Sequence, residues 1–136
     1  MSLTVKRSVA IYAVVTEQLK EELRAELQEG IDTTQRRIDQ MDFQSRRFLA
    51  DLQAADLTQA MAARRQIEAE KRRHEALKQE LAQQLAGVDT LEMGSEFARG
   101  TVEGTVELKV GGDLMKQVAG AVIVMKDGVI VEIREA

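Results

Sequence analysis

The chain has 136 residues, a net charge of −4 and no cysteine, proline or tryptophan. The absence of cysteine excludes a disulfide framework and a thiolate metal site, and it suits the reducing cytoplasm, where we expect the protein to work. No run of eighteen apolar residues exists, so the sequence predicts no membrane-spanning helix.

The first fifteen residues alternate in the way that a β-strand does. Leu3, Val5, Val9 and Ile11 would share one face of the strand, whereas most residues between them are polar. Arg7 falls on the apolar face and interrupts it, which indicates a position near a sheet edge or a subunit contact. We therefore predict a strand at positions 1–15 that joins a sheet built further along the chain.

Residues 16–86 carry a helical pattern whose apolar seam changes phase once. Ile31, Ile38 and Leu52 follow one seven-residue register, whereas Ala60 and the later seam residues follow a second register that starts one position late. Such a slip marks the end of one helix and the start of another, or a skip in a continuous coiled coil. The 31% of charged residues and 3% of aromatic residues are typical of long solvated helices.

A chain reversal at Asp56 would explain the change of phase. Asp56 or Thr58 can cap a second helix, because their side chains accept hydrogen bonds from its first free N–H groups. The reversal would also place large side chains opposite small ones, such as Phe48 opposite Ala63, so that the two helices interdigitate without voids.

The reversal predicts two helices, at 16–55 and 56–86, that pack as an antiparallel coiled-coil hairpin with arms of ~45–60 Å. The alternative is one unbroken helix of ~100 Å, which would need a partner chain along its length. We favour the hairpin because it returns the two β-forming ends of the chain to the same place.

After a linker at 87–96, residues 97–136 have the pattern of a β unit. An alternating stretch places Val102, Val106 and Leu108 on one face and threonine and glutamate residues on the other. This stretch is the first strand that we predict in the C-terminal region.

Two further β-rich runs flank Asp127 and Gly128, and Asp-Gly between such runs indicates a tight hairpin because both turn positions can need positive φ. Asp113, ahead of these runs, can cap a helical turn that extends to Gln117. The C-terminal region is thus a three-stranded unit, with the N-terminal strand as its fourth member. The predicted fold class is α+β, a long antiparallel helical coiled-coil hairpin with a small β-sheet at its base.

The order of these elements, and above all the run from Lys126 to Glu135, resembles the bacterial YlqD family. That run is Lys-Asp-Gly-Val-Ile-Val-Glu-Ile-Arg-Glu. The resemblance implies a bacterial cytoplasmic protein and supplies no catalytic motif. The layout is also similar to that of prefoldin subunits, which is an analogy of fold and carries no function by itself.

The sequence presents no constellation of catalytic or metal-binding residues. His74 is the single histidine, and it lies at a seam position, where a lone polar residue fixes register or partner choice more often than it binds a metal. Glycines of the C-terminal half do not form a phosphate-binding loop, since no Gly-Lys-Ser/Thr accompanies them. We therefore expect no catalytic, cofactor-binding or metal-binding residues and no enzymatic activity. The glycines in question are Gly100, Gly104, Gly111, Gly112 and Gly120.

Basic residues form doublets along the helices, and these are the candidate partner- or phosphate-binding residues. Positions 36–73 hold nine basic and six acidic residues, whereas the segment from Gly87 onward holds five and nine. A basic patch could grip the phosphates of RNA, an acidic protein or an anionic lipid surface. The alternative is a solvated face in which the arginines pair with nearby acids such as Asp39 and Asp42. The candidates are Arg36, Arg37, Arg46, Arg47, Arg64, Arg65, Arg72 and Arg73.

The helices also predict self-association. Polar seam residues such as Glu70 weaken a single hairpin, and Leu19, Leu23 and Leu27 widen its apolar stripe. We expect a homo-oligomer, in the first instance a dimer, with a ring-like assembly left open. The predicted function is a non-enzymatic scaffold or chaperone-like protein that binds an unidentified protein partner. The alternative is an RNA- or ribosome-associated factor that uses the arginine doublets, and an enzyme ranks below both.

Overall fold

A computed structural model describes residues 1–135, and these form two compact units. One unit is Glu22–Asp89, and the other combines the first twenty-one residues with the chain from Thr90 onward. The α+β class, with two long helices and a sheet drawn from both ends of the chain, is confirmed. The elements of the described chain are β1 (Ser2–Val14), α1 (Glu17–Ala55), α2 (Leu57–Gly87), a 3-10 turn (Val88–Thr90), β2 (Glu96–Lys109), α3 (Leu114–Val118), β3 (Ala121–Lys126) and β4 (Val129–Arg134).

The two long helices are separated by one residue, Asp56. Its backbone is extended, with φ −154°, and its carboxylate accepts a hydrogen bond from the Gln59 N–H at 3.1 Å. This satisfies one of the N–H groups that the first turn of α2 leaves free. The predicted chain reversal and its aspartate cap are confirmed, and the alternative of one unbroken helix is wrong.

Side chains connect α1 and α2 along their length and establish that the helices run antiparallel. Lys71 Nζ lies 2.8 Å from Asp42 Oδ1, and Lys78 Nζ lies 2.5 Å from Gln35 Oε1. Between these polar contacts, the seam residue Ile38 is 2% exposed. The heptad register therefore places α1 against α2 as the sequence predicted for this part of the seam.

Helix α1 begins with a side-chain cap of its own. Thr16 Oγ1 accepts a hydrogen bond from the Leu19 N–H at 3.1 Å, and it donates one to Asp127 Oδ1 at 2.6 Å. The hydroxyl thus joins the start of the helix to the turn between β3 and β4. Val15 and Val124, at 1% and 2% exposure, are the most buried residues of the unit that contains the sheet.

The sheet has the strand order β2-β1-β3-β4, so the N-terminal strand lies in its interior. β1 pairs antiparallel with β2, and the register places Leu3 opposite Leu108 and Val5 opposite Val106. The apolar faces predicted for the two strands are therefore the same face of the sheet. The expected four strands are present, but β2 and β3 are not neighbours. β1 separates them and pairs in parallel with β3.

The turn between β3 and β4 has the predicted geometry. Asp127 and Gly128 have φ of +49° and +83°. A two-residue hairpin turn of this kind requires positive φ at both of its central positions. The predicted helical turn after β2 is also present as α3, and the Asp113 carboxylate accepts from the Lys116 N–H at 3.1 Å.

Candidate interaction surface on the helical hairpin

All eight candidate arginines lie on α1 or α2 and are exposed. Arg36 Nη2 donates a hydrogen bond to Thr33 Oγ1 at 3.2 Å. The other seven guanidinium groups have no hydrogen bond or ion pair within residues 1–135. Their charge is consequently directed to solvent, and the positive balance counted in the sequence is present on the surface of the hairpin.

The acidic residues that were expected to neutralise these arginines bind other groups. Asp42 pairs with Lys71, and Asp39 accepts from Gln35 Nε2 at 2.9 Å. The alternative in which these two aspartates pair with the arginine doublets is wrong, because a lysine on α2 and an amide one turn away reach them instead. The hydrogen bond that Lys71 donates to Asp42 raises the pKa of Lys71, and the nearby positive charge of Arg46 opposes that effect.

A cleft next to the chain reversal brings two of the candidate arginines together with apolar side chains. We call it the tip cleft, and its volume is about 240 Å³. Leu57 and Met61, beside the buried Ala60, are 58% and 52% exposed. Neither residue was among the candidates predicted from the sequence. The signal was present, because both residues fall outside the seam register and therefore have no predicted partner on α1. The tip cleft is lined by Gln53, Leu57, Ala60, Met61, Arg64, Arg65 and Glu68.

A second cleft lies further along the seam, and we call it the seam cleft. Its volume is about 350 Å³, and its lining is mostly apolar. Phe48 is 54% exposed here, so the prediction that it is enclosed in the seam opposite Ala63 is wrong. The partner side chain is only a methyl group and covers little of a phenyl ring. The seam cleft is lined by Met41, Gln44, Ser45, Phe48, Ile67 and Glu70.

The remaining candidates lie outside these two clefts. The arginines that line neither of them are Arg36, Arg37, Arg46, Arg47, Arg72 and Arg73. The structure therefore does not gather the doublets into one pocket, and it leaves them distributed along the exposed sides of both helices.

The seam also contains the single histidine of the sequence. The His74 side chain is half-buried in the seam, as its heptad position predicted. Residues 1–135 contain no group of three histidine, cysteine, aspartate or glutamate side chains placed to hold a metal ion. No helix in this part of the chain has both the length and the apolar character needed to cross a bilayer.

Comparison with known proteins places this architecture among relatives of similar length. A family model described as "YlqD protein" matches residues 3–134. The chain is 32% identical to "Uncharacterized protein YlqD" of Bacillus subtilis (strain 168) over 130 residues, which are 93% of this chain and 94% of that protein. A solved structure described as a protein of unknown function from Synechococcus sp. WH 8102 is 29% identical, with a TM-score of 0.88 over 99% of this chain and 96% of that one.

Proposed function

We propose a function for this chain, which belongs to the YlqD family. It is a non-enzymatic, oligomeric scaffold of the bacterial cytoplasm, and its helical hairpin binds apolar segments of a partner protein as a chaperone does. The observation that carries the proposal is the change in burial along the hairpin. Ile38 is 2% exposed, whereas Phe48, Leu57 and Met61, nearer the reversal, are all more than half exposed. Exposed apolar groups collected at one part of a helical pair are typical of a binding surface.

The size of this surface supports weak and reversible binding. Full burial of a large apolar side chain is worth ~1.5–3 kcal/mol, so covering the exposed half of each of these three contributes about 1 kcal/mol apiece. One hairpin would therefore hold a client only briefly. Several hairpins in one oligomer would hold it much longer, because each further contact becomes intramolecular. We therefore propose an oligomer rather than a single subunit.

The rim of the tip cleft supports a preference among clients. Arg64 and Arg65 lie beside Leu57 and Met61, and neither arginine has an ion pair within the described chain. A segment that presents apolar side chains next to aspartate or glutamate would cover Leu57 and Met61 and would also pair with the two arginines. We therefore expect acidic, apolar segments to bind more tightly than basic ones.

The test is suppression of aggregation of a thermally unfolded model protein. In the triple variant Phe48→Gln, Leu57→Gln, Met61→Gln we expect most of the suppression to be lost, because glutamine keeps the helices and removes the apolar contacts. The matched control changes three other exposed apolar residues, Leu77, Met93 and Leu114, to glutamine. Equal loss in both variants, or no suppression by the wild-type protein, would contradict the proposal.

A second candidate function is association with RNA. It is supported by the seven candidate arginines that have neither a hydrogen bond nor an ion pair within residues 1–135, since free guanidinium groups on a long helix can each contact a phosphate. Changing Arg46, Arg47, Arg64 and Arg65 to glutamine should then weaken binding to single-stranded RNA. It should also flatten the salt dependence by ~0.7 in log–log slope for each phosphate contact that is lost.

The matched control for this second candidate changes the same four arginines to lysine. Lysine keeps the charge, so binding that depends on phosphate neutralisation should persist in this variant. Wild-type protein that shows no salt-sensitive binding to RNA would eliminate this candidate and leave the protein-binding scaffold in place.

A further inference from the structure

Strand β4 forms one edge of the sheet, and every residue in it is exposed. Its aliphatic side chains Val129, Ile130, Val131 and Ile133 are 54% to 65% exposed. β3 is the strand that pairs with β4 in the described chain, so the outward N–H and C=O groups of β4 meet no further strand there. An open apolar edge of this kind is a template for pairing with another chain, and natural sheets usually protect it.

The opposite edge shows that protection. β2 carries Glu103, Glu107 and Lys109, and it has glycines at positions 100 and 104. Charged side chains on an edge strand discourage the addition of a further strand, and glycines weaken the strand. The two edges of the sheet are therefore not equivalent, and β4 is the open one.

The charged side chains of β4 do not guard it in the same way. Arg134 donates from Nη1 to Glu96 Oε2 at 3.0 Å and from Nε to Glu132 Oε1 at 2.9 Å. Both charges of the strand are thus already compensated within the chain, so burying them beside a second strand costs less than burying free charges.

We propose that β4 pairs antiparallel with β4 of a second copy of this chain, about a two-fold axis at Ile133. The inference rests on the proposed oligomeric scaffold and names its assembly surface. A two-fold axis that relates neighbouring antiparallel strands is perpendicular to the sheet, so one residue must lie opposite its own copy. The choice of that residue fixes which charges meet.

The pairing of β4 with β3 restricts the choice to a short regular stretch. Val131 is the extra residue where the register between β3 and β4 shifts, and Glu132 to Arg134 are regular beyond it. An axis at Glu132 or Arg134 would place like charges opposite each other. An axis at Ile133 places two isoleucines in contact and sets each Glu132 opposite Arg134 of the second copy, which is the only complementary arrangement in this stretch.

The size of the edge predicts a concentration-dependent dimer. With the axis at Ile133, the paired stretch within the described residues is 131–135, because Val131 lies opposite Glu135 of the second copy. Its aliphatic side chains are Val131 and Ile133, which offer far less than the ~800 Å² per partner of a standard interface. We therefore expect monomer and dimer to exchange, and dissociation on dilution to be measurable by sedimentation velocity.

The absence of cysteine from the sequence makes cross-linking a direct test. In Ile133→Cys the two thiols would face each other, and opposed residues of antiparallel strands are within the Cα separation that a disulfide spans. We expect most of the protein to form a disulfide-linked dimer under mild oxidation. The matched control, Thr105→Cys on the guarded edge, should stay largely monomeric. Equal cross-linking at both positions, or no cross-linking at Ile133→Cys, would overturn the proposal.

A second variant tests the same interface without a covalent bond. Ile133→Lys places two ammonium groups at the axis, and the position is exposed enough that the fold should tolerate the change. We expect this variant to keep its circular dichroism spectrum and to remain monomeric at concentrations where the wild type dimerises, and persistence of the dimer would overturn the proposal. An oligomeric wild type that suppresses aggregation, but whose Ile133→Cys variant does not cross-link, refutes the β4 interface alone. A dimer that cross-links at Ile133→Cys but fails to suppress aggregation refutes the proposed function alone.

Discussion

The guanidinium of Arg134 in β4 donates to both carboxylate oxygens of Glu96 in β2, although these strands are opposite edges of a four-stranded sheet. The ion pair therefore spans β1 and β3, the two strands that lie between these edges. The same guanidinium binds Glu132, two residues earlier in its own strand. One arginine thus compensates two carboxylates and ties the last strand of the sheet to the start of β2.

This cluster predicts a change in stability in acid. Arg134 holds the pKa of Glu132 below its ordinary value through the hydrogen bond between them. A carboxyl group whose pKa is lower in the folded state stabilises the fold fully above its unfolded pKa, and this stabilisation is lost as the pH falls through the folded pKa.

In Arg134→Gln we expect the midpoint of the Glu132 titration, followed by NMR, to rise toward its ordinary value. We also expect the loss of stability between about pH 5 and pH 3 to be smaller than in the wild type. Glu107→Gln, on the opposite edge, serves as the control and should leave the Glu132 midpoint unchanged. An unshifted midpoint in Arg134→Gln would show that another group lowers the pKa.

The cap at the chain reversal predicts a local loss of stability. Asp56→Ala removes the acceptor of the Gln59 N–H and should lower the free energy of unfolding by about 1 kcal/mol, whereas Asp56→Asn should retain most of it. Urea denaturation measures both. Asp51→Ala, an exposed position near the end of α1, is the control, and an equal effect there would mean that the cap is not the cause.

The reversal was predictable because its signals are local. The change of heptad phase and the capping aspartate can both be recognised from residues close to the reversal in sequence. The Asp127-Gly128 turn is likewise recognised from two adjacent residues. The position of β1 between β2 and β3 was not predictable, since alternation identifies a strand and its apolar face without specifying its neighbours.

The candidate surface was predictable only in part. The sequence identified the arginines, but it could not decide that Asp42 pairs with Lys71 rather than with an arginine at the same level of the hairpin. That choice depends on side-chain conformation. The exposure of Phe48 was missed for a related reason, because heptad arithmetic gives the level at which two residues meet and not how much of each the other covers.

Gly120 lies so close to the backbone of β1 at Ser8 that we expect no larger residue to be tolerated there without loss of stability. A Cβ on Gly120 would lie 2.7 Å from the backbone carbonyl oxygen of Ser8, and backbone atoms cannot move aside cheaply. We expect Gly120→Ala to lower the free energy of unfolding by ~1–3 kcal/mol. Gly87→Ala is the control, because its Cβ would meet no atom within 4 Å and alanine favours the helix by up to ~1 kcal/mol. Thermal or urea unfolding distinguishes the two.

Arg7 interrupts the apolar face of β1 and is largely buried there. Its side chain is 14% exposed, and its two Nη atoms each lie 3.3 Å from a carboxylate oxygen of Glu135. Its Nε is buried without a hydrogen-bond partner within residues 1–135. Burying part of a guanidinium without full compensation costs free energy, while the aliphatic part of the side chain fills space on the apolar face.

These two contributions can be separated by substitution. We expect Arg7→Met, which keeps the volume, to leave the free energy of unfolding unchanged or to raise it by about 1 kcal/mol. Arg7→Ala should lower it by about 2 kcal/mol, because it removes the packed side chain as well. Urea denaturation at neutral pH measures both variants. If Arg7→Met destabilised the protein as much as Arg7→Ala does, the ion pair with Glu135 rather than the packing would be what keeps an arginine at this position.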